Sequence, residues 1–474
     1  MITLRKIAGY ALGPVGGAAL GLVSLPLMSW YFSAEDIGRM ILLQTAAALL
    51  LIISGLGSDQ AYIREYHNAA DKASLLKSLA AVPLLLVVLM LLLAAGTAAP
   101  QLAMLLFGLP DFGLGIMLIV FFALVLPMRY GGLILRMQEK AWLFSVSQLL
   151  PKLLLLLLTA FCLLAGIRAD TSVLMALLLA AQISGAAVLL YQTRRETAAA
   201  LASSWQRAVF ADGIRYGIPL VFSYLAYWGF TSADRFALQH FGSLAELGIY
   251  SMAVSVGAVA LVFQSVFSTI WAPMVFEWVE KGIHLDKISP VALDMTRLIT
   301  ALVCITGLLS PLAAWVLPPQ YADVQFILLC CMLFPLFYTL TEASGIGLNV
   351  VRRTGLLSLV SLAALVCNGL LLAWLVPAWG AKGAAVSTAV SFWLFSVLRT
   401  ELSSRLWQNL PRRKIYTHTL FCLLLCLSYT IWGTPENYPL FALIWLAVLS
   451  ALYLANRRRL SALTAELKGR LQNR

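Results

Sequence analysis

The sequence contains few charged residues for its length. Asp, Glu, Lys and Arg together make up 11% of the 474 residues, whereas about a quarter of an average globular domain is charged. Hydrophobic residues make up 61%, and uncharged apolar runs such as 78–97 have the length of about 20 residues that a bilayer span requires. This composition excludes a soluble globular domain. It predicts an all-α polytopic membrane protein.

Motifs for catalysis, metal binding and nucleotide binding are also lacking. The seven cysteines fall inside apolar spans without CxxC spacing, and the four histidines are dispersed, so neither a disulfide framework nor a metal site is predicted. No G-x-x-x-x-G-K-[ST] motif for a nucleotide occurs. No outer loop is longer than roughly twenty residues or holds a Ser/His/Asp set. The sequence therefore predicts no catalytic residue, metal or cofactor, and it argues against an enzyme.

Hydropathy along the chain predicts about fourteen membrane-spanning helices. Their approximate positions are 7–32, 38–58, 75–96, 112–134, 142–166, 172–192, 214–233, 247–272, 296–317, 325–347, 355–376, 382–400, 416–432 and 438–456. The N-terminus lacks the short apolar core and small-residue cleavage site of a signal peptide, so we expect the first span to be retained.

A repeated sequence pattern divides the chain into two halves. A tyrosine, a proline before an apolar span, and a glycine after an acidic residue recur at offsets of 206, 205 and 210: Tyr10 and Tyr216, Pro14 and Pro219, Gly38 and Gly248. Self-similarity of this kind indicates duplication. We therefore predict a six-helix lobe over 1–192, a basic cytoplasmic linker over 193–213, and a second six-helix lobe over 214–400. Two extra helices and a basic tail over 401–474 follow.

Lysine and arginine are distributed unequally between the two sides of the predicted spans. With the N-terminus inside, the inner segments hold 28 of the 33 basic residues and the outer loops hold four, while Lys152 alone lies in mid-span. This bias places both termini in the cytoplasm by the positive-inside rule. Topology and the anionic lipid of the inner leaflet account for the net charge of +12. No nucleic-acid partner is predicted.

Glu35 and Asp36 lie in the first outer loop, where some membrane glycosyltransferases keep catalytic acids. Their counterpart in the second half is Glu246, which precedes Gly248. An acid in the first turn of a helix is stabilised by the helix dipole. A duplicated element of this kind favours a structural role over a catalytic one.

Three segments resemble signatures of one transporter family. The segment nearest the C-terminus begins with Asn349-Val-Val-Arg-Arg-Thr354 and continues through Asn368 and Pro377. It ends with Gly380-Ala-Lys-Gly383-Ala-Ala and a helix of small residues. The others are GSDQAYIREY at 57–66, and Asp234-Arg235 together with LGIYS at 247–251. Their order and spacing resemble the polysaccharide-export flippases, including O-antigen flippases, of the multidrug/oligosaccharidyl-lipid/polysaccharide exporter superfamily.

The resemblance implies two lobes that open alternately to each side of the membrane. It implies a substrate of oligosaccharide on polyprenyl pyrophosphate, such as an O-antigen, capsule or exopolysaccharide unit. This substrate would move from the inner to the outer leaflet of the bacterial cytoplasmic (inner) membrane. The expected partners are membrane lipid and other membrane proteins of glycan assembly. The alternatives are a multidrug or cation exporter, a peptidoglycan-precursor flippase, and, in another class, a membrane glycosyltransferase or polymerase.

Charged residues at or within the spans are the candidate site residues. A pyrophosphate substrate would need cations in the cavity, and intramembrane acids are candidates for ion coupling. The predicted cavity cations are Lys152, Arg129 and Arg235, and the predicted ion-coupling acids are Glu342, Asp59 and Asp234.

Structural roles remain open for most of these residues. Asp59 could pair with Arg64 at the interface, Glu342 could be a partnered carboxylate, and Asp234 could pair with the adjacent Arg235. An arginine near a span end, such as Arg129, can snorkel toward the inner face.

Lys152 lies about ten residues, or ~15 Å, from the inner end of its span. A lipid-facing ammonium at this depth would cost about 3 kcal/mol. We therefore expect Lys152 to face the protein interior, either beside a carboxylate or in a wet cavity.

Overall fold

A computed structural model describes the backbone over residues 4–257, 259–351 and 353–472. Nearly all of these residues are helical, and none of them lies in a β-strand. Contacts group the chain into two compact units, the first ending at Ser255 and the second beginning at Val256. The predicted all-α polytopic fold is confirmed.

The first unit is built from long helices with short helices between them. Its elements are α1 (Leu4–Tyr31), α2 (Ala34–Gly55), α3 (Ser58–Glu65), α4 (Lys72–Thr97), α5 (Ala99–Phe107), α6 (Phe112–Met137), α7 (Ala141–Leu164), α8 (Thr171–Gln192), α9 (Arg194–Ala202), α10 (Arg207–Phe241) and most of α11 (Leu244–Gly257).

The second unit contains the remaining helices. These are α12 (Val259–Lys281), α13 (Ile288–Leu309), α14 (Pro311–Val316), α15 (Val324–Ser344), α16 (Gly347–Val350), α17 (Thr354–Leu406), α18 (Arg412–Trp432) and α19 (Tyr438–Gln472). Short 3-10 turns at Leu285–Lys287 and Pro319–Tyr321 connect some of them. Helix α15 is the central element of this unit and packs against α12, α13, α17 and α18.

Side-chain caps fix where four helices of the first unit begin. Ser33, Asp71, Asp111 and Asp170 precede α2, α4, α6 and α8, and each accepts a hydrogen bond from a backbone N–H of the first turn. These bonds satisfy donors that the helix leaves unpaired at its start. The caps therefore fix the residues at which these four helices begin.

Ten of the described helices are long and apolar enough to cross a membrane. The longest, α17, has 53 residues and is kinked at Gly380, where φ is 52°. A single span needs about 20 residues, so α17 has the length of the two spans predicted at 355–376 and 382–400. The total of fourteen spans stays a prediction. The structure adds α3, α5 and α9, short helices absent from the predicted spans.

Candidate functional site

Lys152 lies in α7 on the side that packs against α1. Its ammonium donates a hydrogen bond to the backbone carbonyl oxygen of Gly17, with the two atoms 3.2 Å apart. Gly17 permits this approach because a Cβ there would lie 3.0 Å from the Lys152 Nζ. Among the residues whose side chains the structure describes, no carboxylate forms an ion pair with Lys152. In the part of the chain that the structure describes, this mid-span amine therefore has no acidic partner.

Asp59 pairs with Arg129, which reaches it from α6. The Nη2 and Nε atoms of Arg129 lie 2.7 and 3.1 Å from the same carboxylate oxygen. The alternative pairing of Asp59 with Arg64 is wrong, because Arg64 instead contacts Glu65 at 3.2 Å and stacks over the Tyr216 ring. The charge of Arg129, one of the predicted cavity cations, is therefore already neutralised by Asp59.

Asp234 and Arg235 are neighbours near the end of α10 but do not pair through their side chains. The buried Asp234 carboxylate accepts hydrogen bonds from the Tyr250 hydroxyl of α11 and from the backbone N–H of Arg235. The Arg235 guanidinium points to the Thr231 carbonyl and the Ser232 hydroxyl. In the described part of the chain, Asp234 is thus a buried acid without a cationic partner, and Arg235 a cation without an acidic one.

Glu342 of α15 forms an ion pair with Arg399 of α17. The Arg399 Nη2 lies 3.5 Å from the Glu342 Oε1, and both side chains are largely buried. Arg399 also donates to the Thr341 hydroxyl at 3.1 Å. Glu342 is therefore a partnered carboxylate, as one of the two sequence-based interpretations allowed. Sequence reasoning missed Arg399, which it counted with the inner segment because it lies close to the predicted span end.

Glu35 and Asp36 lie in the first turn of α2, and Glu246 lies in the first turn of α11. Ser33 caps the first helix through the backbone N–H of Asp36. Ser243 and Glu246 exchange hydrogen bonds at the start of the second. Arg39 neutralises both Glu35 and Asp36. These acids thus lie in first helical turns, and Glu35 and Asp36 are paired with Arg39, as a structural role would require.

The starts of α2 and α11 pack against each other through repeat-related glycines. A Cβ at Gly38 would lie 2.1 Å from the carbonyl oxygen of Leu244, and a Cβ at Gly248 would lie 2.0 Å from that of Ala34. The contact is reciprocal, because Leu244 occupies in the second half the position that Ala34 occupies in the first. Only glycine lets the two backbones approach this closely.

A second glycine contact joins the other end of α2 to α10. A Cβ at Gly217 would lie 2.4 Å from the carbonyl oxygen of Leu56, and a Cβ at Gly57 would lie equally close to that of Gly217. Gly57 has a φ of 69°, which also favours glycine. The stacking of Arg64 over Tyr216, 4.6 Å from the ring centroid, lies beside it. The segment 57–66 therefore contacts the first residues of the second half of the chain.

Metal-binding groups and reactive thiols would be other kinds of functional site in the described residues. In the described residues, no group of three or more His, Cys, Asp or Glu side chains could hold a metal ion. The cysteines are free thiols, six of them buried. Two other features of the described residues stand out. Lys152, Asp234 and Arg235 lack an ion-pair partner, and glycine contacts lie at both ends of α2.

Comparisons with known proteins show to which family this chain belongs. The family model described as "Polysaccharide biosynthesis protein" matches residues 3–279. No curated protein matches the chain significantly.

The solved structure of the lipid II flippase MurJ in an inward closed conformation is similar to this chain, with a TM-score of 0.68 at 13% identity. The alignment covers 95% of this chain and 99% of that one. A MATE structure in the straight conformation gives a TM-score of 0.51 at 15% identity, covering 88% and 96%. At these identities the likeness concerns the fold. Because the family model covers more than half of the chain, this protein belongs to the polysaccharide biosynthesis protein family, and it has the fold of the flippase-type transporters of the MOP superfamily.

Proposed function

We propose that this protein flips an oligosaccharide linked to polyprenyl pyrophosphate from the inner to the outer leaflet of a bacterial cytoplasmic membrane. The observation that carries this proposal is the uncompensated Lys152 ammonium at mid-span in a chain of this family. An intramembrane charge without a protein partner is a candidate for a substrate contact. A pyrophosphate is the anionic group that a lipid-linked oligosaccharide would bring to it.

Arg235 is the second cation proposed to contact the substrate. Neither Lys152 nor Arg235 pairs with a carboxylate among the described side chains, whereas Arg129 is held by Asp59. Charge-assisted hydrogen bonds to phosphate oxygens are roughly twice as strong as neutral ones. We therefore assign the substrate contacts to Lys152 and Arg235, and we give Arg129 a structural role in tying α3 to α6.

Alternating access is proposed to use the two glycine contacts of α2. The start of α2 lies at the outer face in the predicted topology, so the Gly38–Gly248 contact would close the outer side. The Gly57–Gly217 contact would close the inner side. The predicted lobes 1–192 and 214–400 would rock so that one contact opens while the other stays closed. Both termini would lie in the cytoplasm.

Ion coupling is proposed to reside at Asp234. Of the three predicted acids, Asp59 and Glu342 have arginine partners, and Asp234 has only hydroxyl and N–H donors. An acid without a fixed cation is free to exchange a proton or a metal cation. We expect Asp234→Asn to abolish the dependence of transport on the ion gradient. Glu277→Gln is the control that should retain it, because Glu277 pairs with Lys281 at an exposed position. If collapsing the proton and sodium gradients slows Asp234→Asn as much as wild type, the assignment is wrong.

Lipid II flipping is the second candidate function. The fold likeness to the lipid II flippase MurJ favours it, but an identity of 13% carries the fold and not the substrate. A multidrug or cation exporter is a third possibility within the superfamily. A membrane glycosyltransferase or polymerase would instead need catalytic groups in its outer loops.

Reconstitution of the full chain into proteoliposomes distinguishes these functions. A lipid-linked oligosaccharide is placed in the vesicles, and its exposure is followed with an impermeant glycosidase on one side. We expect the protein to accelerate exposure of this substrate, and lipid II to move no faster than in vesicles without protein. Movement of lipid II alone would overturn the proposal in favour of the second candidate. A change in the mass of the glycan in vesicles without added glycosidase would indicate an enzyme.

A further inference from the structure

A groove in the first unit lies apart from the residues discussed so far. It is bounded by α4, α6, α8 and α9, has a volume of about 450 Å³, and has an almost entirely apolar lining. Ligand sites usually have volumes of about 300–1,000 Å³. The pairs Ala80–Ala81 on α4 and Ala186–Ala187 on α8 both line it. Their small side chains leave space that leucine would fill.

The groove occupies one half of the membrane. Its lining on α4 spans 76–84, a few residues after the helix begins at Lys72, and its lining on α8 ends at Thr193, just after the helix ends. A stretch of eight residues is ~12 Å long, and one leaflet of the hydrocarbon core is ~15 Å thick. The large apolar side chains of Leu190 and Leu201 at its lip are exposed. In a bilayer this opening meets the acyl chains of a single leaflet.

The end of the groove beside α9 carries polar groups. The Lys77 ammonium donates to the carbonyl oxygens of Leu201 at 2.9 Å and Ser203 at 2.6 Å, which leaves its third N–H for another acceptor. Thr197 lines the groove, and its hydroxyl has no hydrogen-bond partner among the described residues. Arg194 lies one turn before Thr197 on α9, outside the lining of the groove. Its Nη1 donates to the Tyr191 carbonyl oxygen at 3.0 Å and its guanidinium stacks over the Tyr191 ring, which leaves further N–H donors for an anion.

The acidic residue at this rim is already partnered. Glu196 accepts a hydrogen bond from the Gln138 amide at 2.7 Å and lies 3.8 Å from the Lys140 ammonium. Burial raises the pKa of Glu196, but the Gln138 hydrogen bond and the nearby charges of Lys140 and Arg195 outweigh it, so the net shift is downward. The carboxylate thus stays ionised and compensated. The remaining charge of the rim, from Lys77 and Arg194, is positive.

We infer that this groove binds one acyl chain of an anionic glycerophospholipid from the same leaflet, with the phosphate held at Lys77, Thr197 and Arg194. The bound lipid ties α9, the helix of the basic linker, to three spans of the first unit. This site is separate from Lys152, which packs against α1 and does not line the groove. The inference does not depend on which molecule the protein transports.

Photolabelling of the full chain in nanodiscs tests the inference. The probes are phosphatidylglycerol and phosphatidylcholine with a diazirine on one acyl chain, and labelled peptides are mapped by mass spectrometry. We expect phosphatidylglycerol to label peptides covering 76–84 or 183–201 more strongly than phosphatidylcholine. Ala187→Phe should lower this labelling by about tenfold, since the ring displaces several methylene groups.

Matched variants separate the groove from its surroundings. Ala180→Phe places the same ring on the same face of α8, two turns away and outside the groove, and should label like wild type. The double variant with Thr197→Val and Arg194→Gln should still be labelled, but phosphatidylglycerol and phosphatidylcholine should label it equally. Unchanged labelling in Ala187→Phe, or absent labelling in wild type, would overturn the inference. Displacement of the probe by a polyprenyl phosphate at low concentration would also overturn it, and would assign the groove to an isoprenoid chain.

Discussion

Charged side chains at membrane depth divide here into two kinds. Glu342 with Arg399 and Asp59 with Arg129 are ion pairs that neutralise each other inside the fold. Lys152 bonds only to a backbone carbonyl among the described residues. Burying a charge is costly unless it is paired or wet. The two pairs satisfy this condition within the fold. Lys152 is an exposed residue of α7 rather than a buried one, and we assign its unpaired side chain to function.

Substitutions of Lys152 should affect export more than folding. If the ammonium contacts a pyrophosphate, Lys152→Arg keeps the charge and should retain export. Lys152→Ala and Lys152→Gln should reduce export at least tenfold, which corresponds to ~1.4 kcal/mol. Complementation of a strain lacking the protein, at matched expression, measures the effect. Full export by Lys152→Ala would remove this residue from the site.

Breaking the Glu342–Arg399 pair should destabilise the second unit. Arg399→Gln leaves a buried carboxylate alone, which costs about 3–5 kcal/mol, and the double variant with Glu342→Gln should recover part of the loss. Thermal unfolding of the purified full chain gives the coupling energy of the pair. Glu277→Gln is the control, because Glu277 and its partner Lys281 on the same helix are both more than half exposed and such pairs contribute about 0–1 kcal/mol. Equal stability of Arg399→Gln and wild type would contradict this account.

The sequence identified most of the charged residues but not their partners. Asp59 and Arg64 are close in sequence, yet five residues on a helix place them on different faces, and Arg129 approaches from another span. Arg399 lies 57 positions after Glu342, so only the packing of α15 against α17 brings them together. Depth along a span can be counted from sequence. The neighbours of a side chain across helices cannot.

At the level of elements, glycine decides where the helices of the first unit meet most closely. Gly38 and Gly248 admit each other's backbone at one end of α2, and Gly57 and Gly217 do so at the other. Fully buried side chains, Ile37 and Leu247, adjoin two of these glycines in sequence. The proposed alternating access requires each contact to open in turn.

A larger residue at Gly38 should prevent the contact between α2 and α11. In Gly38→Val the added Cβ would overlap the Leu244 carbonyl oxygen, and relieving such overpacking costs about 1–3 kcal/mol. We expect lost transport together with faster labelling of Leu247→Cys, a fully buried position beside the contact, by an impermeant maleimide.

Two further variants make this prediction specific. Gly248→Val, at the repeat-related position, should behave like Gly38→Val because the contact is reciprocal. Gly55→Val lies on the same helix, where no atom is within 4 Å of an added Cβ, and should transport normally. Normal transport by both Gly38→Val and Gly248→Val would show that this contact does not open and close.

The repeat in the sequence singles out Gly38 and Gly248 as equivalent positions, because duplication keeps a residue whose backbone must approach another. Hydropathy does not predict the short helices α3, α5 and α9, since none is long enough to span a membrane. It predicts a gap between two spans where α17 bends at Gly380. At Gly380 the backbone leaves the helical conformation, with a φ of 52°, so two helical segments meet at a kink there.

For the molecule as a whole, the two helices after the predicted lobes are part of the core of the second unit. Helix α18 packs against α13, α15 and α17, and α19 packs against α13. The Tyr429 hydroxyl of α18 lies 2.8 Å from the Ser310 hydroxyl. Helices α18 and α19 are therefore integral to this unit, although they follow the repeated lobes in sequence.

Trp445 of α19 gives the sharpest test of this integration. Its side chain is fully buried, and its ring lies against Gly307 of α13, where an added Cβ would be 2.6 Å from Cε2. Lipid is as apolar as a protein core, so packing rather than transfer from water stabilises such a contact. Trp445→Ala should then lower stability by about 3 kcal/mol through the cavity it leaves, measured by thermal unfolding in detergent. Leu443→Ala, an exposed position on the same helix, should change little; equal effects of the two variants would mean that α19 packs no more tightly than a lipid-facing helix.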